Sequence, residues 1–199
     1  MKTVKEQNSL QDIEEKDVLL GVINRFIGLF SRRIQKETLL ETSKEYPFVA
    51  MDTRQVFEEL LLVGRYLKDK HNCQDLDGFK FIDVGCGFGN VMLFAEQFGF
   101  DVYGLEKDEA SIEKALNFFD KEQIIKSDLF AFDGYIDFDV IYYFCPLAEG
   151  ERRFEEFIED EIRPGAILIG NYKRSKKIET DSRFKRLSSK FPIWEKTRR

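Results

Sequence analysis

Apolar residues fall into two rhythms along this chain. In the first eighty residues they recur three or four apart. Leu19, Val22, Ile23, Phe26, Ile27, Phe30 and Ile34 form one such series, which predicts a helix from a cap at Ser9 to about Glu41. Pro47 ends it, and residues 48–53 read as an extended connector. Asp52 or Thr53 then caps a second helix over residues 54–70, with Val56, Phe57, Leu60, Leu61 and Leu67 at helical spacing. From residue 80 the rhythm changes. Short apolar runs at 81–84, 100–105, 123–128, 138–143 and 166–170 alternate with amphipathic stretches at 91–98, 109–119 and 149–161. Strands alternating with helices predict an α/β fold with a mostly parallel sheet and helices on both faces. The run at 166–170 is apolar at nearly every position, as a strand buried on both faces requires.

The chemistry concentrates where the first run ends. Asp83 is followed by Gly85, Gly87 and Gly89, with Cys86 and Phe88 between them and Asn90 after. A strand, a glycine turn and a helix place backbone N–H groups and a positive helix end over one spot, and glycine lets a ligand approach the main chain. The spacing is G-x-G-x-G, one residue shorter than the dinucleotide fingerprint G-x-G-x-x-G, so a nicotinamide cofactor is disfavoured. The next run ends in Glu106, 21 residues past Gly85. A carboxylate there accepts hydrogen bonds from a ribose diol. The third run ends in Asp128, and the fourth leads into Phe144, Cys145, Pro146 and Leu147.

These ordered features, over roughly residues 80–173, resemble the class I, seven-strand methyltransferases that use S-adenosylmethionine. The resemblance implies a three-layer Rossmann-like sandwich. It implies an N-terminal helical extension over 1–46, a lid or packing helix, on a cofactor-binding domain over 47–199. Residues 183–187 and 191–195 would then form the short closing hairpin common in the family. It assigns the glycine turn, Cys86 and Asn90 to the methionine end of the cofactor, with Asp83 on its ammonium group or on the loop. Glu106 falls at the ribose, and Lys107 beside it is either solvent-exposed or packs its stem on the adenine. Asp128 and Leu129 fall at the adenine, and Tyr143 in the pocket wall. Phe130 is either an adenine neighbour or core. Residues 53–55 begin a helix that either packs over the cofactor carboxylate or is simply capped. Tyr143 and Phe144 are candidates for the acceptor side. Tyr142 and Tyr143 cannot both face the ligand, because strand side chains alternate. Family members that methylate adenine or glutamine amides carry Asn/Asp-Pro-Pro-aromatic where this chain has Phe144-Cys145-Pro146-Leu147, so those acceptors are disfavoured. Cys145 precedes its proline, unlike the nucleophile of cytosine-C5 enzymes. The implied function is methyl transfer to a small molecule or protein side chain. The alternative is a non-catalytic protein that binds S-adenosylmethionine in an accessory or regulatory role.

Composition narrows the setting. Apolar residues make up 43% and charged residues 34%, the balance of a globular chain, and 199 residues suit a single core. Three cysteines without C-x-x-C spacing, and one histidine, argue against a disulfide framework and a zinc site. With no signal peptide and no membrane-spanning run, a cytoplasmic location is expected. The net charge of −6 is uneven. Residues 173–199 hold 11 Lys/Arg and 3 Asp/Glu, a balance of +8, which leaves −6 − 8 = −14 for the rest. A basic segment on an acidic body raises nucleic acid as a partner, though a solvated terminal segment is the favoured reading.

Overall fold

The computed structural model describes residues 4–37, 50–144, 147 and 149–198, with side chains of 4–16 and 34 excepted. The expected features at Pro47, Phe48, Cys145 and Pro146 lie outside the described residues. Helix α1 spans Val4–Glu37 and α2 spans Thr53–His71. There follow β1 (Lys80–Val84), α3 (Asn90–Gln97), β2 (Asp101–Glu106), α4 (Glu109–Ala115), β3 (Ile124–Lys126), β4 (Val140–Phe144), α5 (Glu151–Glu161), β5 (Ile167–Asn171), β6 (Phe184–Arg186) and β7 (Ile193–Lys196).

The seven strands form one sheet in the order β3-β2-β1-β4-β5-β7-β6. β1 pairs in parallel with β2 and β4, β2 with β3, and β4 with β5. β7 pairs antiparallel with both β5 and β6, which is the expected closing hairpin. The chain leaves β1 toward β2 and returns to the other side of β1 as β4. That reversal opens a crevice at the carboxyl ends of β1 and β4.

Alternation along each strand divides the core into two layers. Phe81, Tyr142 and Ile169 face α2 and α3, meeting Val56, Leu60, Val63, Leu67, Val91, Met92 and Ala95. Ile82, Tyr143 and Leu168 face α5, meeting Phe154 and Ile158. Each fully buried apolar side chain of this kind contributes about 1.5–3 kcal/mol of transfer free energy. The first layer is built from regular helices. The second holds α5 and two 3₁₀ turns, Gly134–Asp137 and Lys177–Glu179, in the connections where other α/β units carry helices.

Three boundaries differ from expectation. Ser9 lies inside α1 rather than at its cap. α4 stops at Ala115, where the sequence pattern runs on to Phe119, and the following turn brings Phe119 into the first core layer. Asp52 is the α2 cap, accepting from the N–H groups of Arg54 at 3.0 Å and Gln55 at 3.1 Å.

Buried charge fixes the carboxyl-terminal third. Glu151, Glu155 and Glu159 occupy one line of α5, four residues apart, and all three are buried. Lys173 reaches Glu155 at 3.1 Å and Glu159 at 2.5 Å, and Arg174 pairs with Glu151. Burial raises the carboxyl pKa of Glu151 and Glu159, and the partner cations oppose that rise. Lys177, Arg183, Arg186 and Lys190 are paired with Glu156, Asp160, Glu179 and Glu58. Lys196 donates to the carbonyls of Glu159, Asp160 and Ile162 and so closes the end of α5. The basic segment is therefore matched largely within the molecule, which removes the main charge argument for a nucleic-acid surface.

Candidate cofactor and acceptor site

The glycine turn continues β1 into α3 through three left-handed residues. Gly85, Gly87 and Gly89 have φ of 78°, 58° and 88°, a region that side chains with a Cβ rarely enter. The turn is tied to β2 by two main-chain bonds, from Gly85 and Cys86 N–H to the Leu105 carbonyl at 2.8 and 3.1 Å. Phe119 lies where a Cβ on Gly89 would be. Cys86 turns inward, and a Cβ on Gly104 would lie 2.5 Å from both Cys86 Sγ and Met92 Sδ. Gly104 thus makes room for the turn from the neighbouring strand. Burial, together with the charges of Glu106 and Asp83, raises the Cys86 thiol well above its ordinary pKa. Cys86 contributes backbone to the turn and packing to the core.

Glu106, at the end of β2, stands over this turn. Its Oε2 accepts from Gly87 N–H at 2.9 Å, and its Oε1 accepts from Lys107 and Asp108 N–H at 2.7 and 2.9 Å. Burial raises its pKa, while those three bonds lower it. Two acceptor sites on Oε1 are used and one on Oε2, so Oε2 keeps a lone pair for a hydroxyl donor. Lys107 is half-buried and its ammonium lies 3.4 Å from Asp128, which is exposed. Asp128 Oδ1 accepts from Phe130 N–H at 2.9 Å. Leu129 is buried in the second core layer, and its carbonyl accepts the Tyr135 hydroxyl at 2.8 Å. Phe130 packs edge-on to Phe154, with Arg153 over its ring at 4.9 Å.

A narrow cleft opens between β1 and β4, lined by Met51, Asp83, Gly85, Asn90, Val91, Tyr142 and Phe144. Asp83 is the one carboxylate among the described residues that line it, and is 4% exposed. Among the described residues nothing donates a hydrogen bond to it. Burial first, and then the charge of Glu106, pushes its pKa up to about 8. A cation entering the cleft would reverse that shift, because an adjacent positive charge favours the ionised carboxyl.

On the β4 side the structure corrects the expected orientation. Tyr143 lies in the second core layer, edge-on to Phe154 at 5.3 Å and closed over Gly170. Its neighbour Tyr142 takes the cleft side, as the two-residue period of the strand dictates. Phe144 is half-buried at the mouth and meets the ring of Tyr172 at 5.5 Å, nearly perpendicular. Tyr172 is 71% exposed and left-handed, with φ of 57°. The residues after it are anchored, since Arg174 and Ser175 N–H both donate to Glu155 at 2.5 and 2.6 Å. Beneath lies a buried polar triad. Gln55 Nε2 donates to Glu59 at 2.8 Å and to Asn171 at 3.0 Å, and Asn171 Nδ2 donates to Glu59 at 2.9 Å. Burial raises the pKa of Glu59, and both amides oppose the rise. Neither Tyr172 nor this triad stands out in the sequence. The one available signal was an acid, Glu59, placed among the apolar positions of α2.

The start of α2 is a capped end. Asp52 takes the N–H groups of Arg54 and Gln55, and Asn24 of α1 accepts from the Thr53 hydroxyl at 3.0 Å. α1 also covers the glycine turn, where Ile27 packs on Phe88 and the rings of Phe30 and Phe88 are 5.9 Å apart. Among the described residues no group of three His, Cys, Asp or Glu side chains is placed to hold a metal ion, and no helix is long and apolar enough to cross a membrane.

Residues 67–144, from the end of α2 through β4, match the family model of the tellurite resistance protein TehB. No curated protein matches the chain in sequence. Solved structures with a similar chain course include CalS10, an amino pentose methyltransferase from Micromonospora echinaspora with S-adenosylmethionine bound. It is 20% identical over 58% of this chain and 50% of that one, with a TM-score of 0.43. An RNA methyltransferase from Salinibacter ruber, in complex with S-adenosyl-L-homocysteine, is 19% identical over 61% and 76%, with a TM-score of 0.46. The sugar N-methyltransferase KedS8 from Streptoalloteichus is 18% identical over 64% and 52%, with a TM-score of 0.43. The chain spans about half the length of the two sugar methyltransferases. Its strand order, its glycine turn and the family-model match over β1 to β4 make the chain similar to the class I, Rossmann-like methyltransferases that use S-adenosylmethionine.

Proposed function

We propose that the chain transfers a methyl group from S-adenosylmethionine to a small-molecule or protein side-chain acceptor. The observation that carries this reading is Asp83, a buried carboxylate that accepts no hydrogen bond from the described residues and lines the cleft beside the glycine turn. The ammonium group of S-adenosylmethionine is a cation of the right kind for it. Asn90 and the turn would hold the methionine end, and the spare lone pair of Glu106 Oε2 would take a ribose hydroxyl. Lys107 and the exposed Asp128, farther along the same edge, would meet the adenine.

When bound, S-adenosylmethionine supplies a methyl group on a sulfonium, already activated for displacement. The residues around it have then to align the acceptor and exclude water. Met51, Tyr142 and Phe144 form the wall that does so, and Tyr172 extends it outward. No His, Lys or Cys is among the described residues that line the cleft. The wall therefore suits an acceptor that arrives with its lone pair available. Aromatic faces also hold a cationic product by cation–π attraction.

The test is calorimetric titration with S-adenosylhomocysteine, with NADH as control, followed by an acceptor screen using labelled S-adenosylmethionine. Saturable binding of S-adenosylhomocysteine supports the reading. Binding without label transfer to any acceptor would favour a non-catalytic role, and binding of NADH instead would overturn both.

A further inference from the structure

We infer that α1 docks the protein on an anionic lipid surface through its outward apolar face. One side of this helix belongs to the core: Leu20 and Ile27 are buried, and Ile27 packs on the glycine turn through Phe88. The other side is apolar and, among the described residues, largely uncovered. Val18, Leu19, Val22, Phe26 and Leu29 are exposed, Val18 by 68% and Phe26 by 59%, and the partly exposed Phe30 closes the stripe where its ring meets Phe88. At 100° per residue they fall within a stripe about 120° wide. Six large apolar residues on one helix stripe exceed the scattered single exposures usual on a protein surface.

Charge decides what covers the stripe. The acids Glu6, Asp12, Glu14 and Glu15 fall in the first part of α1, before the stripe begins. Within residues 17–37, which carry the stripe, the acids are Asp17 and Glu37, and both are engaged with the body of the protein. Asp17 meets Arg54 at 3.4 Å and Glu37 meets Lys114 at 3.2 Å. The cations Arg25, Arg32, Arg33 and Lys36 are all exposed. Arg25, Arg32 and Lys36 border one edge of the stripe, and Arg33 continues its line toward the helix end. An apolar stripe with a basic border suits the headgroup layer of an anionic bilayer. The whole chain carries −6, so the remaining surface is repelled by such a bilayer, which orients the molecule with α1 down. A second copy is a poorer occupant, because antiparallel pairing of two α1 helices sets their basic borders on the same side. The helix is amphipathic rather than uniformly apolar, so it lies in the interface and does not cross it.

The experiment is co-sedimentation of the full chain with vesicles of phosphatidylglycerol and phosphatidylcholine in equal parts, and with phosphatidylcholine alone. The expected result is sedimentation with the anionic vesicles, reduced by about tenfold or more in Val22→Asp/Phe26→Asp and in Arg32→Gln/Arg33→Gln. Val22, Phe26, Arg32 and Arg33 are exposed, and unchanged thermal melts and S-adenosylhomocysteine titrations would confirm intact variants. Failure of the native chain to sediment overturns the inference, as does equal sedimentation with neutral vesicles or equal sedimentation of the variants. A dimer by light scattering that Val22→Asp/Phe26→Asp converts to monomer would assign the stripe to a second copy instead.

Discussion

The carboxyl edge of the sheet has two halves that are built differently. On the β1–β2 half the ligand-facing parts are mostly main chain: three left-handed glycines, joined by two fixed carboxylates, the buried Asp83 and a Glu106 held by three N–H groups. On the β4–β5 half they are side chains: Tyr142, Phe144 and a strained, exposed Tyr172. The first half suits a ligand that never changes, because backbone geometry admits few substitutions. The second suits a variable acceptor, because side chains are exchanged without moving the sheet. Substitutions on the two halves should therefore separate cofactor binding from acceptor use.

The largest effect is expected at the turn. Gly89→Val places a β-branched residue at φ of 88° and against Phe119. It should lower S-adenosylhomocysteine affinity by more than about 100-fold and reduce stability by about 1–3 kcal/mol, read by calorimetry and urea melts.

Asp83→Asn is next, and it should act in opposite directions on binding and stability. It should weaken S-adenosylhomocysteine by more than about tenfold, as loss of a buried charge partner does. Asp83 has a folded pKa near 8, against about 3.8 ordinarily. Between those values the folded state binds the extra proton, so this group's contribution to stability falls as pH rises. Asp83→Asn removes that loss. Ligand-free variant and native protein should be similar at pH 4, with the variant ahead by more than about 1 kcal/mol at pH 8.5. Native affinity for the cofactor's ammonium group should rise with pH up to about 8, with proton release on binding below that.

Glu106→Ala should weaken binding by roughly 1–3 kcal/mol, because it removes a hydroxyl acceptor and frees the Gly87 N–H. The smallest effect on the cofactor is expected at Tyr172→Gly. It should leave S-adenosylhomocysteine affinity unchanged, raise stability by about 1 kcal/mol through relief of φ of 57°, and raise KM for the acceptor. Weakened cofactor binding in that variant would erase the distinction between the halves.

The same division explains what was legible in the sequence. Glycines and strand-ending acids are local signals, so the turn at 85–89 and Glu106 could be located from one short stretch each. The mostly parallel sheet followed from alternation of element types. Side-chain contacts on the other half depend on residues far apart in the chain. Glu59 meets Asn171 across 112 positions, and Lys173 meets Glu155 and Glu159 across the α5–β5 connection. Nothing local marks such partners, so the basic segment looked like an external surface until its acids were seen opposite. Tyr142 and Tyr143 are adjacent and chemically alike, and only the register of β4 against β1 decides which faces the cleft. The 3₁₀ turns at 134–137 and 177–179 were unreadable for another reason: three or four residues are too few for a periodic signal.

The most direct test is titration of the native chain with S-adenosylhomocysteine at pH 7, in two buffers of different ionisation enthalpy. The account predicts saturable binding near −8 kcal/mol, a micromolar affinity, with protons released in the native chain and none in Asp83→Asn. Binding without proton release, or no binding at all, would contradict the assignment of Asp83 to the cofactor's ammonium group.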